Sequence, residues 1–414
     1  MKPTTAETAP PETDSAEAPV LTALGGGANQ AGGRAYNERL TLSLIRLNGP
    51  LPKADLARLT GLSAQTMSLI VRALATDGLL VAQEPVRGRV GQPSVPYALA
   101  PRGVLSFGVK IGRRSAEVML CDFLGEPILK RRQSYVAPLP ERVVAFVLHA
   151  IRAMRARMPA DSRYAGIGIA MPFELWKWAD EVEVPDGTLD GWRDLDIRAR
   201  IEEASGLPAC LANDATAACG AELAHSYRGS NVDMLYFFIG AFIGGGVVLN
   251  GALHQGRTGN AGALGSMPIA VGGRMTQLIH HASLITLEKA VVRAGGTTEF
   301  LEQMDGDWAH LEPTLTDWIG RTAETLATAI VAGVSIIDFE HVCIDGALPR
   351  AVLARIVEGA RAAAAAYDRQ GLSPFEIRMG SLGAEARVLG GAMLPIVAGF
   401  GAGQDIMLKQ GAGG

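Results

Sequence analysis

Cysteine is scarce in this chain. Cys121, Cys210, Cys219 and Cys343 are the four in 414 residues, and no two fall in a C-x-x-C spacing. That spread argues against a disulfide framework or a cysteine-rich zinc site, and for buried, reduced thiols in a cytoplasmic protein. Long apolar runs are missing too. No stretch reaches the ~18 consecutive apolar residues of a membrane-spanning helix, and the N-terminus has no apolar run of the kind a secretory signal carries. The 50 glycines follow no period of three, so they are expected at turns and close backbone approaches, not in a collagen-like chain. Disorder throughout is excluded by what is abundant, since 48% apolar residues against 19% charged provide ample core material. A chain of this length suggests two or three domains.

The formal net charge of −4 conceals an asymmetry. Residues 1–33 hold one Lys and four acids with almost no large apolar side chain, and read as a disordered tail. Residues 34–100 hold eight Lys or Arg and four acids, and a basic segment on an acidic chain points to nucleic acid. Within it a helix is expected from Asn37, then helices over 53–60 and 63–77 divided by Gly61, then short strands at Leu79–Val81 and Tyr97–Leu99. Ala57 is small where two helices must cross, Gly61 suits a left-handed turn, and Ser63 can cap the next helix. Met67 and Ile70 return to the core, which leaves Ala64, Gln65, Thr66, Ser68 and Arg72 facing outward. Short polar side chains near a helix N-terminus suit base edges and phosphates in a major groove. The basic loop Val86–Pro93, with Arg87 and Arg89, would form a wing over a minor groove. The DNA-binding candidates are therefore Ser63, Ala64, Gln65, Thr66, Ser68, Arg72, Arg87 and Arg89. The plain alternative is a three-helix packing module that meets no DNA.

From Val104 the texture changes to strands and helices in alternation, which indicates α/β architecture. Strands are expected at 104–111, 115–121, 127–133, 166–170, 208–212, 234–239, 246–250, 341–344 and 375–379. Helices are expected at 139–157, 213–227, 283–294, 314–337, 348–367 and 386–399. No repeat of 20–50 residues is visible.

Four stretches carry a resemblance. They are Phe107–Gly112, Ile167–Pro172, Leu211–Ala215 and Ile243–Val248, in that order and behind a winged helix. Together they resemble the ROK family of repressors, open reading frames and sugar kinases, over about residues 36–400. The resemblance implies an N-terminal winged helix-turn-helix followed by a two-lobed, actin-like (ribonuclease H-like) ATPase-fold domain. It implies domains at 34–100, at 101–208 plus 386–414 for lobe 1, and at 209–385 for lobe 2. It also implies that Asn213 and Asp214 match a sugar-binding pair whose Asp is the kinase general base, and that Glu288 matches a sugar-binding Glu. The plain reading of Asp214 is a helix cap.

The departures from that family matter as much. Where its first phosphate loop has a carboxylate that helps hold magnesium, this chain has Lys110, followed by Arg113 and Arg114. Either the loop has drifted after losing its task, or Lys110, Arg113 or Arg114 contacts an anionic effector. Ala263 stands where a sugar-binding Glu is expected, and Ser266 where a zinc-ligating His is expected. Phe173, Trp176 and Trp178 offer aromatic faces that either stack on a ligand or simply pack.

The reading is then a cytoplasmic transcriptional regulator, a repressor, with operator DNA and a carbohydrate-like effector as partners and a homodimer or homotetramer as its state. Asn213, Asp214, Ser266, Glu288, Lys110 and Arg113 are the effector-binding candidates, and Asp214 is a vestigial general base. Neither ATP nor zinc is expected as a cofactor. The competing readings are an ATP-dependent sugar kinase and a constitutive DNA-binding protein with a vestigial cleft. Zinc gives an early test. The cluster region between Cys219 and Cys343 contains no cysteine, so untagged protein should carry far less than one zinc per chain. A stoichiometric, chelator-resistant zinc would contradict the reading.

Overall fold

A computed structural model describes residues 30–85, 94–179, 184–227, 230–302 and 306–401. The N-terminal module has three helices, α1 (Gln30–Asn48), α2 (Lys53–Thr60) and α3 (Ala64–Thr76). A small antiparallel sheet accompanies them, with β1 (Leu51–Pro52) and β2 (Leu80–Ala82) flanking β3 (Pro96–Leu99). Helix α1 starts at Gln30, earlier than expected and inside the stretch read as tail. Between α2 and α3 the chain turns at Gly61, whose φ of 69° is the left-handed conformation that favours glycine. The Ser63 hydroxyl then accepts the Thr66 N–H at 3.1 Å and caps α3. Leu56, Met67, Ile70, Val71 and Leu74 form the module's core.

Two lobes follow. Lobe 1 contains β4 (Leu105–Ile111), β5 (Ser115–Cys121), β6 (Pro127–Ser134), α4 (Pro140–Arg155), β7 (Tyr164–Ala170), α5 (Ile197–Ser205) and β8 (Ala209–Ala212), with α6 (Asp214–Ser226) leading out. Lobe 2 contains β9 (Met234–Ile239), β10 (Ile243–Leu249), β11 (Ala252–His254), a hairpin of β12 (Pro268–Val271) and β13 (Arg274–Gln277), α7 (Leu284–Arg293), α8 (Thr314–Ile336), β14 (His341–Gly346), α9 (Arg350–Ala365) and β15 (Glu376–Met379). Helix α10 (Ala386–Phe400) ends the described chain. The two large sheets share one plan. Their orders are β6-β5-β4-β7-β8 and β11-β10-β9-β14-β15, each with three antiparallel strands and then two parallel ones. Inner strands such as β9 (MLYFFI) are buried along their whole length, as continuous apolar runs covered on both faces should be. Strand β8 pairs with β7 and so belongs to the sheet of lobe 1.

The lobes exchange helices. Helix α6 leaves lobe 1 and packs on β10, while α10 leaves lobe 2, packs on β4 and β7 and crosses α6. Glycines permit this proximity. A Cβ on Gly390 would lie 2.0 Å from the Ala217 carbonyl oxygen, and one on Gly168 would lie 1.9 Å from that of Gly391. At its far end α10 joins the N-terminal module, since Ile396 and Phe400 belong to that module's core. Phe400 meets Phe123 edge-on at 5.2 Å, and the Arg46 guanidinium of α1 lies 4.8 Å from the same Phe123 ring. The strand expected at 246–250 begins earlier, at Ile243, and so takes in the whole triple glycine. The missing side chains admit Ala215 and Cys219 of α6, which a Cβ on Gly244 or Gly246 would meet at 2.8 and 2.5 Å. Helix α5, with its Asp196 cap on Ala199 N–H at 2.9 Å, was not anticipated.

These contacts predict opposite results for two identical substitutions. Gly390→Ala forces a methyl into backbone and should destabilise the protein by about 1–3 kcal/mol or more. Gly320→Ala, exposed inside α8 with nothing within 4 Å, should stabilise it by roughly 0.5–1 kcal/mol. Denaturant melts read both. Equal effects would refute the packing described for α10.

Candidate functional site

On α3 the outward face is continuous. Ser63, Ala64, Gln65, Thr66 and Arg72 are exposed, and Ser68 is half-buried. The Ser63 and Thr66 hydroxyls lie 2.8 Å apart, so both take part in the cap and present their remaining capacity at the helix start. Leu69, 59% exposed, lies among them one turn from Gln65 and Arg72, and sequence reading had passed over it. An exposed leucine in a polar stripe was legible from the period of α3 alone. Arg87 and Arg89 lie outside the described residues.

Apart from Asp214, the remaining candidates fall into two neighbouring pockets of the cleft. One collects Asn213, Thr216, Gly244, Gly245, Asn260, Ala263 and Ser266. It lies beyond the carboxyl end of β8, where open α/β sheets commonly hold ligands. The Asn213 side-chain oxygen accepts the Ala215 N–H at 3.1 Å and caps α6, so capping falls to Asn213 and not to Asp214. Asp214 instead accepts from Arg387 of α10 at 3.3 Å, with both side chains mostly buried. Thr216 and Asn260 are polar lining residues that sequence reading did not single out.

The other pocket is basic and lies between the turn joining β4 to β5 and helix α7. Glu288 is here, away from Asn213 and Ser266. Its carboxylate accepts from Arg113 at 2.9 Å and also from Arg114, which ties the turn of lobe 1 to helix α7 of lobe 2. Lys110 folds back over its own turn. Its ammonium donates to Ser115 Oγ at 3.0 Å and pairs with Glu117 Oε1 at 3.4 Å, across the β4–β5 register. Glu117 also pairs with Lys130 at 3.2 Å, and Lys130 with Glu385 at 2.8 Å. Burial pushes the Lys110 ammonium down to about 8, and Arg387 adds to that while Glu117 and Asp214 oppose it. Burial would raise the Glu117 carboxyl, but Lys110, Lys130 and Arg387 outweigh it and hold the group below its usual value.

The aromatic cluster divides. Phe173 and Trp176 line a separate hollow with Trp192 and Arg198, whereas Trp178 packs on Phe242 of lobe 2 with ring centroids 4.8 Å apart. Among the described residues no group of three or more His, Cys, Asp or Glu is placed to hold a metal ion.

Comparison with known proteins matches residues 106–396 to the model of the ROK family. The xylose repressor of Bacillus spizizenii is 28% identical over 276 residues, which cover 66% of this chain and 71% of that protein. A crystal structure of a ROK family transcriptional regulator, a homologue of the E. coli MLC protein, superposes with a TM-score of 0.66 at 21% identity, over 89% of this chain and 97% of the other. The ROK hexokinase of Thermus thermophilus reaches a TM-score of 0.51 at 25% identity and covers 70% of this chain and 97% of its own.

The displaced Lys110 value gives a pH test. The folded protein releases this proton near pH 8, whereas the unfolded chain holds it to about 10.5. The cost of burying the charge is therefore fully present below pH 8 and is relieved as pH rises from 8 to 10.5. Lys110→Met removes the charge and leaves Glu117 paired with Lys130. It should be more stable than wild type at pH 7, by about 1–3 kcal/mol, and the gap should narrow towards pH 10 in urea melts. A gap that is constant with pH, or of opposite sign, would contradict this assignment.

Proposed function

The chain belongs to the ROK family, and from that premise we propose that it is a DNA-binding transcriptional repressor that senses a carbohydrate-like effector in its cleft. The observation that carries this reading is the capped α3 with its exposed Gln65, Thr66, Leu69 and Arg72 and half-buried Ser68, built on a module fused to the cleft domain through α10. Helices of this kind read base edges in a major groove while basic neighbours contact phosphate. Leu69 adds an apolar contact suited to a thymine methyl. The similarity to a protein named xylose repressor favours a sugar-responsive repressor. Asn213, Thr216, Asn260 and Ser266 supply the polar groups that would meet sugar hydroxyls. We place the protein in the cytoplasm as a homodimer or homotetramer. No helix among the described residues is long and apolar enough to cross a membrane.

A ROK hexokinase with the same fold makes phosphotransfer the second reading. Two features oppose it. A general base must be free to take the hydroxyl proton, and Asp214 is engaged by Arg387. The metal-holding carboxylate position carries Lys110, which is folded over its own turn. An assay with ATP, magnesium and a panel of sugars should find no turnover approaching the ~1–100 per second of kinases.

Operator binding tests the main reading. Half-sites of a symmetric dimer should lie about 34–36 Å apart or at a multiple of that spacing. Gln65→Ala should relax sequence preference by roughly 1–3 kcal/mol, while Arg72→Ala should weaken binding to all sequences and flatten the salt slope by about one. Unchanged operator affinity in a variant carrying Gln65→Ala, Thr66→Ala, Arg87→Ala and Arg89→Ala together would end the DNA-binding assignment.

A further inference from the structure

The hollow on lobe 1 is lined by three aromatic rings, Phe173, Trp176 and Trp192, and rimmed by Arg193, Asp196 and Arg198. Trp192 is almost fully buried, and its Nε1 donates to the Pro138 carbonyl at 2.6 Å, which fixes the ring. Trp176 packs on the lobe 1 core yet stays half-buried, as does Phe173. The space left between the rings is ≈ 230 Å³, where a single water needs only ~10–15 Å³. At the rim Arg193 pairs with Asp190 at 3.5 Å, and Arg198 with Glu202 at 3.3 Å and Asp196 at 3.7 Å. These are surface pairs of little worth, and a guanidinium carries several N–H donors, so both arginines keep capacity for a ligand. Apolar faces with a few polar groups at the edge are the make-up of a small-molecule site. An aromatic face suits the C–H face of a sugar ring, and charged groups beside it suit the hydroxyls at the ring's edge.

The hollow adjoins the Asn213 pocket at two places. Leu211 lines the hollow and Asn213 the pocket, with no more than about 7 Å of chain between them. On the other side Trp178 packs on Phe242, whose neighbour Ile243 lines the pocket. The residues of the hollow belong to lobe 1, and those of the pocket to the start of α6 and to lobe 2. We propose that the hollow is a second sugar subsite and that the effector is an oligosaccharide. One ring sits among Asn213, Asn260 and Ser266, and the next stacks on Phe173 and Trp176 while Arg193 and Asp196 meet its hydroxyls. Such a ligand spans both lobes, which a single ring in either place does not. This assignment rests on the cleft being the effector site, and it names the class of sugar that the site takes.

Isothermal titration of the full chain tests it, with glucose, xylose and the β-1,4-linked disaccharides and trisaccharides of each as probes. A disaccharide should bind at least tenfold tighter than its monosaccharide, with little further gain from a third ring. Trp176→Ala should abolish that gain and leave monosaccharide affinity within twofold, while Trp176→Phe, which keeps an aromatic face, should retain most of it. Arg193→Ala, at an exposed position outside the core, should lose part of the gain with the melting temperature unchanged. A monosaccharide that binds as tightly as its disaccharide, or a disaccharide whose binding is unchanged in both Trp176→Ala and Arg193→Ala, overturns the subsite and leaves the effector reading standing. Two equivalents of monosaccharide per chain, one of them lost in Trp176→Ala, would assign the hollow to a free sugar and overturn the linked ring. A disaccharide that binds through Trp176 but leaves operator affinity untouched upholds the subsite and removes the effector reading. Absence of binding by every probe overturns both.

Discussion

The carboxylate of Glu288 holds the two lobes together at the mouth of the cleft. Arg113 and Arg114 reach it from the β4–β5 turn, and the Arg113–Glu288 pair is almost fully buried. Charges so placed are screened little by solvent, and removing one partner strands the other in a medium that cannot solvate it. Around this pair the remaining charges fall into order. Lys110 lies over its own turn, Glu117 bridges Lys110 and Lys130, and Arg387 occupies Asp214. A turn that resembles a phosphate loop is here a latch made of the chain's own side chains.

The latch matters to the DNA-reading end because one helix touches both. Arg387 stands at the first turn of α10 and pairs with Asp214 in the cleft, while Ile396 and Phe400 lie in the core of the N-terminal module. Fifteen helical residues make a rod of about 22 Å. It lies against lobe 1 and α6 at close glycine contacts, with Pro395 inside the helix. Asp345, fully buried at the end of β14, accepts the Gly383 N–H at 3.0 Å and fastens the loop that leads into α10. A ligand that favoured one spacing of the lobes over another would bear on both ends of this helix. It can shift DNA affinity only by the difference in its own affinity for the two arrangements.

Much of this was legible in the residues. Gly61 and Ser63 announced the turn and cap of the reading helix because their chemistry is local. The apolar runs marked the inner strands for the same reason. The partnership of Glu288 was not legible. The resemblance matches it to a sugar-binding Glu and says nothing of the arginines 174 and 175 residues away that it meets in the fold. Charge pairs formed across a fold leave no periodic trace. The start of β10 was missed for a related reason, since glycine signals a turn and a tight helix contact alike. The shared plan of the two sheets was invisible as well, because strand order repeats where sequence does not.

The account depends most on the latch, and a double-mutant cycle measures it directly. Arg113→Met, Glu288→Gln and the pair together are compared by equilibrium unfolding at low and at high salt. A buried bridge between lobes predicts a coupling energy of about 1–3 kcal/mol that survives 1 M salt. Strictly additive effects, or a coupling that vanishes with salt, would show that the two side chains do not hold the cleft.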